Sequence, residues 1–480
     1  MDVAPHCPLV DSLRAELLAA VQEIQPRPTT VPLISEVTGS CLSGERLDAA
    51  HWVRNFAEPA YFSTAINTLL GQDCSLFLDV SPQPIVRHAI EANLRHAGRA
   101  GAVLASLRRA DDERGALLET LGALYTRGFS PHWAAIHPAL PEALRHHHEE
   151  CFTEALAVSG ALSAERKGPR GNPPAGAASS SPLCLPLSAK STAALRAQAG
   201  QYAKHLAEHA EQSLHDIAFT ASTRRDHHAH RLAVVSDSKE EVVAALAAYS
   251  RGELPPKVLT SQGPSRARPK VVFVFPGLGS QWLGMGRTLL AAEEVFRSAL
   301  EQCDRVIQEI AGFSVVHELL AEQTSSRLEL HEVIQPVMFS LQIALAALWR
   351  SWGIQPDAIV GHSMGEIAGA QVAGALSLPD AALIICARSR IGQRVQQPGA
   401  MMLVELSPQQ AEAAIQDLAD QVSIAAYNAP RATVLAGAPA ALDELAALLE
   451  QRQVFIRRIK VAVAAHSPQL DPVLPELREQ

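Results

Sequence analysis

The chain repeats itself at its two ends. Residues 3–18 read Val-Ala-Pro-His-Cys-Pro-Leu-Val-Asp-Ser-Leu-Arg-Ala-Glu-Leu-Leu, and residues 463–478 read Val-Ala-Ala-His-Ser-Pro-Gln-Leu-Asp-Pro-Val-Leu-Pro-Glu-Leu-Arg. Aligned without gaps, Val, Ala, His, Pro, Asp, Glu and Leu coincide, pairing His6 with His466 and Asp11 with Asp471. The chain is therefore expected to start and stop at the same point of one repeating unit, as the tail of one copy followed by the head of the next. This limits the fold, because a buried parallel strand needs both of its neighbours. Strands missing from the second copy would have to come from the first, with residues 7–108 packing onto 270–466.

The segments agree with that expectation. In the first copy, Val31 to Ser35, Leu76 to Val80 and Ala102 to Leu107 read as strands with helices between them. In the second, Val271 to Phe275 is an apolar strand ending at Pro276-Gly277, and a long helix runs from about Gln335 to Trp352. Residues 400–462 read as two βα-like units: strands at Met401 to Leu406, Val422 to Ala426 and Thr433 to Ala436, with helices from Pro408 to Leu418 and Pro439 to Gln451. Residues 163–184 are rich in Gly, Pro, Ala and Ser and read as a flexible linker. Residues 185–260 read as a small α/β unit, with helices from Thr192 to Gln212 and Lys239 to Tyr249 and a strand at Leu232 to Ser236.

Gly361-His362-Ser363-Met364-Gly365 carries the chemistry. It follows the apolar run Ala358-Ile359-Val360 and precedes small residues from Glu366 to Leu376. The order strand, sharp turn, helix lifts the serine hydroxyl above the sheet edge in a strained backbone. The two glycines let strand and helix pass closely, and the N–H after the serine can hold a developing oxyanion. The bland alternative is a tight helix start in a nucleotide-binding type of core.

Composition excludes several classes. A net charge of -9 argues against nucleic-acid binding through a basic surface. The scattered cysteines, seven in all and with no C-x-x-C pair, suggest reduced thiols and a cytoplasmic location. The N-terminus lacks a basic then apolar leader, and no apolar run of about 18 residues predicts a membrane span.

Taken in order, Phe273 to Gly286, Val333-Ile-Gln-Pro336, Gly361 to Glu366, Ala387-Arg-Ser389, Asn428-Ala-Pro430 and Ala465-His-Ser-Pro468 resemble the malonyl-CoA:acyl carrier protein acyltransferase family in its modular type I polyketide synthase form. Phe77 to Pro82 and Ser106 to Arg109 resemble landmarks of the second half of another such domain, and Leu185 to Arg231 resembles the linker between ketosynthase and acyltransferase domains. The resemblance covers about nine-tenths of the chain. It implies 1–137 as the C-terminal portion of an acyltransferase domain, 138–184 as linker, 185–262 as the ketosynthase–acyltransferase type linker domain, and 270–480 as the N-terminal portion. The implied fold is α/β: an α/β-hydrolase-like large subdomain with a parallel sheet, plus an inserted ferredoxin-like small subdomain at about 398–462.

The resemblance also implies a mechanism. Ser363 would attack an acyl-CoA thioester with His466 as general base. The backbone N–H groups of Met364 and Leu278 would form the oxyanion hole. Arg388 would grip a malonyl-type carboxylate, and Gln335, Asn428 and Ala465 would line the pocket. The small Ala465 leaves room for an α-methyl group and leans the expectation to methylmalonyl over malonyl. The acyl-serine would pass to the phosphopantetheine thiol of an acyl carrier protein, with other polyketide synthase domains as partners and no bound cofactor or metal. His6 is the alternative base in an assembled chain.

Departures and alternatives remain at this level. Leu278 stands where the family usually has glutamine, which preserves a backbone donor but not a side-chain one, and Pro5 beside His6 is unusual. Arg390 rivals Arg388, but two residues apart on a helix means opposite faces. His466 could instead be a surface histidine with Ser467-Pro468 capping a helix. A serine hydrolase would need an acid such as Asp417 or Asp420 beside its histidine. A non-catalytic synthase fragment is the third reading, since no ketosynthase-sized segment separates 137 from 185 and no carrier protein is visible. Val10 to Leu13 lacks the glycine of a phosphopantetheine site. His146 to Cys151 reads as a solvated linker helix rather than a metal site, and His227, His228 and His230 read as structural.

Overall fold

The structure, a computed structural model, describes residues 11–109, 111–137, 181–261, 268–393 and 399–459. Val10, His6, Ala465 and His466 lie outside these residues, as do His146 to Cys151 and the proposed linker up to residue 180.

In chain order, the first segment supplies strands β1 (Leu33–Ser35), β2 (Ser40–Leu42), β3 (Cys74–Asp79) and β4 (Ala102–Ala105). The middle supplies β5 (Leu183–Ala189), β6 (His230–Ser236) and β7 (Val258–Thr260). The last segment supplies β8 (Lys270–Phe275), β9 (Ala358–Gly361), β10 (Ala400–Val404), β11 (Val422–Ala429), β12 (Ala432–Gly437) and β13 (Ile456–Ile459). Two compact units result, Met1–Leu117 with Pro269–Gln480, and Leu118–Arg268.

The first unit is built on a six-stranded sheet in the order β2-β1-β9-β8-β3-β4. Every pairing is parallel except that of β2, which runs antiparallel at the edge. Strands from the N-terminal segment flank the β9–β8 pair on both sides: Leu33 pairs with Ile359, and Phe77 with Val272. This is the sheet that the end-to-end echo led us to expect. Strands β8 and β9 are apolar along almost their whole length and buried on both faces, as central parallel strands are. Ile34, Phe77, Val272, Val274 and Val360 share one core with the Phe62–Gly71 helix.

The His331–Ser351 helix is long and apolar enough to cross a membrane by length and composition, yet 89% of its most apolar stretch is buried within the protein. It is a core helix, and it starts four residues earlier than the sequence suggested. A four-stranded antiparallel sheet, β11-β12-β10-β13, carries the Pro408–Ile415 and Pro439–Gln451 helices in a βαββαβ order. Ser407 and Gln410 close a capping box at the first of these helices. The small sheet joins the large part through the backbone of Ala60, which donates to Ala425 O at 3.0 Å and accepts from Tyr427 N at 2.8 Å. Tyr61 stacks on Tyr427 alongside.

The second unit pairs β5, β6 and β7 antiparallel beneath the Thr192–Glu208, Leu214–Thr223 and Lys239–Ser250 helices, each begun by a serine cap. It begins within the Glu113–Thr126 helix, so compactness divides the chain at Leu117, earlier than residue 137. The reason is local. A Cβ on Gly122 would meet the side chains of Leu259 at 2.7 Å and Ala233 at 3.1 Å, and Arg231 donates to the carbonyls of Tyr125 and Phe129. His227 bridges the Tyr125 hydroxyl and Ser222 O, a structural role. Strand β5 starts at Leu183, inside the stretch read as linker.

Because Ile34 is fully buried between the two segments, Ile34→Ala should destabilise the first unit by about 2–5 kcal/mol. Urea unfolding followed by tryptophan fluorescence measures this. A cost near zero would mean that β1 does not pair with β9.

Candidate active site

The loop after β9 makes the turn that the sequence suggests. Ser363 has φ +53°, a left-handed conformation that costs a non-glycine residue roughly 1–2 kcal/mol. The glycines on either side explain how the turn fits. A Cβ on Gly361 would lie 2.2 Å from Glu366 Cα, and one on Gly365 only 1.9 Å from Phe275 O. The helix that follows, Gly365–Val372, therefore starts almost in contact with the end of β8. The loop after β8 stands over the same turn, since a Cβ on Gly277 would be 3.2 Å from Ser363 Cβ. Leu278, next along that loop, is half-buried, and Met364 is buried.

Arg388, on the Leu378–Gln393 helix, reaches this turn. Its Nη2 donates to Ser363 Oγ at 2.9 Å, and its Nη1 donates to Asn55 Oδ1 at 2.7 Å. The guanidinium lies 5.1 Å from the centre of the Phe56 ring and is 2% exposed. Burial draws its pKa down to about 10, with Glu36 and Glu366 acting in the opposite direction, so it stays a cation near neutral pH. Its rival Arg390 is exposed.

Two buried carboxylates face this cation. Glu36, just beyond β1, accepts the Ser363 backbone N–H. Glu366 accepts from Glu36 N at 3.2 Å and Asn55 Nδ2 at 3.4 Å, and pairs with His51 Nε2 at 2.9 Å. Burial, then the charge of Glu366, pushes the Glu36 carboxyl well above the usual range, against the smaller pull of Ser363 N–H and Arg388.

His362 turns to the small sheet, with its Nε2 2.9 Å from Asn428 Oδ1. Burial lowers its pKa, favouring the neutral ring. Gln335 is buried and bonds through Nε2 to the His331 ring. Burial, followed by the nearby Arg388 cation, lowers His331 to about 3.

Of the residues expected at the site, the structure thus brings together Ser363, Met364, Arg388 and the Leu278 loop. It sets Asn428 against the neighbouring His362 and Gln335 against His331, close to Arg388. His466, His6 and Ala465 are outside the described residues. Asp417 and Asp420 are exposed, unlike the buried acid that a hydrolase triad requires. Sequence reading missed Glu36, His51 and Asn55. A signal was present for the last two: they lie four apart on the Ala49–Ala57 helix, both buried, on a face otherwise made by Trp52, Val53 and Phe56.

The fold is mixed α/β with a parallel sheet, and its strand-turn-helix elbow places a serine beneath a buried arginine. The sequence pattern of the acyl transferase domain family matches residues 1–130 and 272–480, and the chain belongs to that family. A second pattern, CurL-like polyketide synthase C-terminal, matches residues 183–246. Among curated proteins, the chain is 41% identical over 312 residues to erythronolide synthase EryA3 of Saccharopolyspora erythraea, covering 65% of this chain and 10% of that protein. It is 39% identical over 331 residues to a mycocerosic acid synthase-like polyketide synthase of Mycobacterium tuberculosis, covering 68% and 15%. The chain therefore spans only about a tenth of the length of the first of these relatives. The acyltransferase domain from module 8 of the salinomycin polyketide synthase superposes with a TM-score of 0.55 at 33% identity, covering 61% of this chain and 69% of that one. The acyl transferase domain of ZmaA gives the same TM-score at 27% identity, covering 62% and 68%.

The elbow's crowding predicts an asymmetry between glycines. Gly365→Ala should cost at least about 1–3 kcal/mol, because its Cβ meets fixed backbone. Gly71→Ala, with open space around its Cβ, should be neutral or stabilise by up to about 1 kcal/mol. Chemical denaturation of both variants checks this, and equal costs would contradict the close approach.

Proposed function

We propose that the chain transfers a malonyl-type extender unit from CoA to Ser363 and then to the phosphopantetheine thiol of an acyl carrier protein. The observation that carries this reading is the buried Arg388 guanidinium 2.9 Å from Ser363 Oγ. A cation there has a clear use if the acyl group bears a carboxylate, which the planar fork can bind bidentately. In a neutral-ester hydrolase it has no obvious use.

In this reading Ser363 Oγ attacks the thioester carbonyl while His466 takes its proton, with His6 as the alternative base. The Met364 and Leu278 N–H groups hold the tetrahedral oxyanion. Collapse expels the CoA thiolate, which receives the proton and leaves an acyl-serine ester. The carrier thiol then attacks that ester, and Ser363 regains its proton. Gln335, Asn428 and Ala465 border the acyl group, and the small Ala465 favours methylmalonyl over malonyl.

The domain assignment belongs to the same reading. Residues 1–137 and 270–480 form one acyltransferase domain in permuted order, 138–184 link them, and 185–262 form a linker domain of the type found beside ketosynthases. The parallel sheet is the hydrolase-like large subdomain, and the βαββαβ unit the ferredoxin-like small one. Other synthase domains are the partners, in the cytoplasm, and no cofactor or metal takes part.

Intact-mass measurement after mixing with malonyl-CoA or methylmalonyl-CoA should show one acyl adduct that is lost in Ser363→Ala. An adduct persisting in that variant would place the nucleophile elsewhere. Arg388→Ala should lower loading of carboxylate-bearing acyl groups by an amount on the order of 2–5 kcal/mol relative to acetyl. Equal loss for both would mean that Arg388 only supports the fold. In competition between the two CoA esters, Ala465→Phe should shift the choice to malonyl by about 1–3 kcal/mol. No shift would remove Ala465 from the selection.

A further inference from the structure

The described residues around Ser363 hold one buried guanidinium and two buried carboxylates. Two polar atoms among them have no hydrogen-bond partner within the described residues: Glu36 Oε2 and Arg388 Nε. Unmatched buried polar atoms are rare, and two on neighbouring groups call for an explanation. Arg388 uses one N–H of Nη1 on Asn55 and one of Nη2 on Ser363, and its Nε–H is without a partner among the described residues. Glu36 uses Oε1 to accept the Ser363 N–H, which leaves Oε2.

A carboxylate-bearing acyl group would bring a further negative charge to a site where the Glu36 and Glu366 side chains already face Arg388. An ionised Glu36 would repel it. A neutral Glu36 would offer an O–H at the unmatched oxygen, which can donate to the incoming carboxylate beside Arg388. We propose that Glu36 selects the acyl group: protonated, it recognises a carboxylate-bearing acyl chain together with Arg388, and ionised, it excludes that chain. Binding such a chain with Glu36 ionised takes one proton from solvent onto Glu36, and the proton returns when the acyl group leaves for the carrier thiol. Neutral acyl groups need no such proton. The inference rests on the transfer reading above.

The groups that could titrate around Glu36 come from each packed element: Glu366 from the Gly365–Val372 helix, Arg388 from the Leu378–Gln393 helix, and His51 from the Ala49–Ala57 helix. His331, from the His331–Ser351 helix, lies close to Arg388. Glu36 differs from them in combining contact with the Ser363 backbone with an unmatched oxygen. Burial raises its carboxyl well above the ordinary carboxylate range.

The test compares adduct formation from malonyl-CoA and acetyl-CoA on the full chain and on Glu36→Gln, from about pH 6 to about pH 9. In the wild type, the malonyl-to-acetyl loading ratio should fall by up to about tenfold per pH unit once Glu36 ionises. In Glu36→Gln the ratio should be flat with pH and, at the alkaline end, at least about tenfold above wild type. A ratio that is flat in the wild type, or that keeps its slope in Glu36→Gln, overturns the proposal.

A second measurement works without activity. A carboxyl raised in the folded protein adds its full stability below the ordinary carboxylate range, and this is lost as pH rises through the raised value. Glu36→Gln should therefore gain in Tm over the wild type as pH rises, whereas a pH-independent difference overturns the proposal. If neither thioester labels Ser363 while the Tm difference grows with pH, the transfer reading fails and the protonation of Glu36 stands.

Discussion

Two parallel pairs, Leu33 with Ile359 and Ile34 with Val360, tie together segments more than three hundred residues apart in the chain. The rest of the site depends on this pairing. Strands β1 and β9 run in the same direction, so the residues beyond their C-terminal ends emerge side by side, which is where open parallel sheets place their ligands. Beyond β9 comes Ser363, and beyond β1 comes Glu36. The serine N–H meets the Glu36 carboxylate because the register brings the two loops out together. A slip by one residue would send every β1 side chain to the opposite face of the sheet and separate the two loops.

The Ala49–Ala57 helix follows from the same placement. Its buried face carries Trp52 and Phe56 into the core, and the same face presents His51 to Glu366 and Asn55 to Arg388. Arg388 is thus held by partners from both ends of the chain: Asn55 and the Phe56 ring from the first segment, Ser363 from the second. A buried cation is tolerable only where it is paired and hydrogen-bonded. Without the N-terminal segment, Arg388 would lose Asn55, Phe56 and the charge of Glu36 at once.

Much of this was legible in the sequence, and the exceptions have physical reasons. The elbow was readable because its chemistry needs glycine at fixed spacing, and the steric consequences at Gly361 and Gly365 follow directly. The parallel strands were readable as apolar runs, and the end-to-end echo indicated which segments had to meet. Helix periodicity put Arg388 and Arg390 on opposite faces, and the family resemblance chose Arg388. Two edge strands were missed because edges need not be apolar: β2 has two exposed residues of three, and β13 reads Ile-Arg-Arg-Ile. Glu36 was missed because a single acidic residue after a short strand carries no local signal. Its meaning lies in a contact with Ser363, across 327 positions of the chain.

That contact joins two constraints usually considered apart. The positive φ of Ser363 strains the turn, and its N–H has to be satisfied where the chain bends away from β9. The group that satisfies it is an ionisable side chain, one oxygen of which is left without a partner among the described residues. A neutral hydroxyl or amide could have held the same N–H without bringing a charge near Arg388. The carboxyl instead places a second acidic side chain, beside Glu366, against Arg388. Backbone support for the serine and the group that faces Arg388 therefore rest on the same side chain.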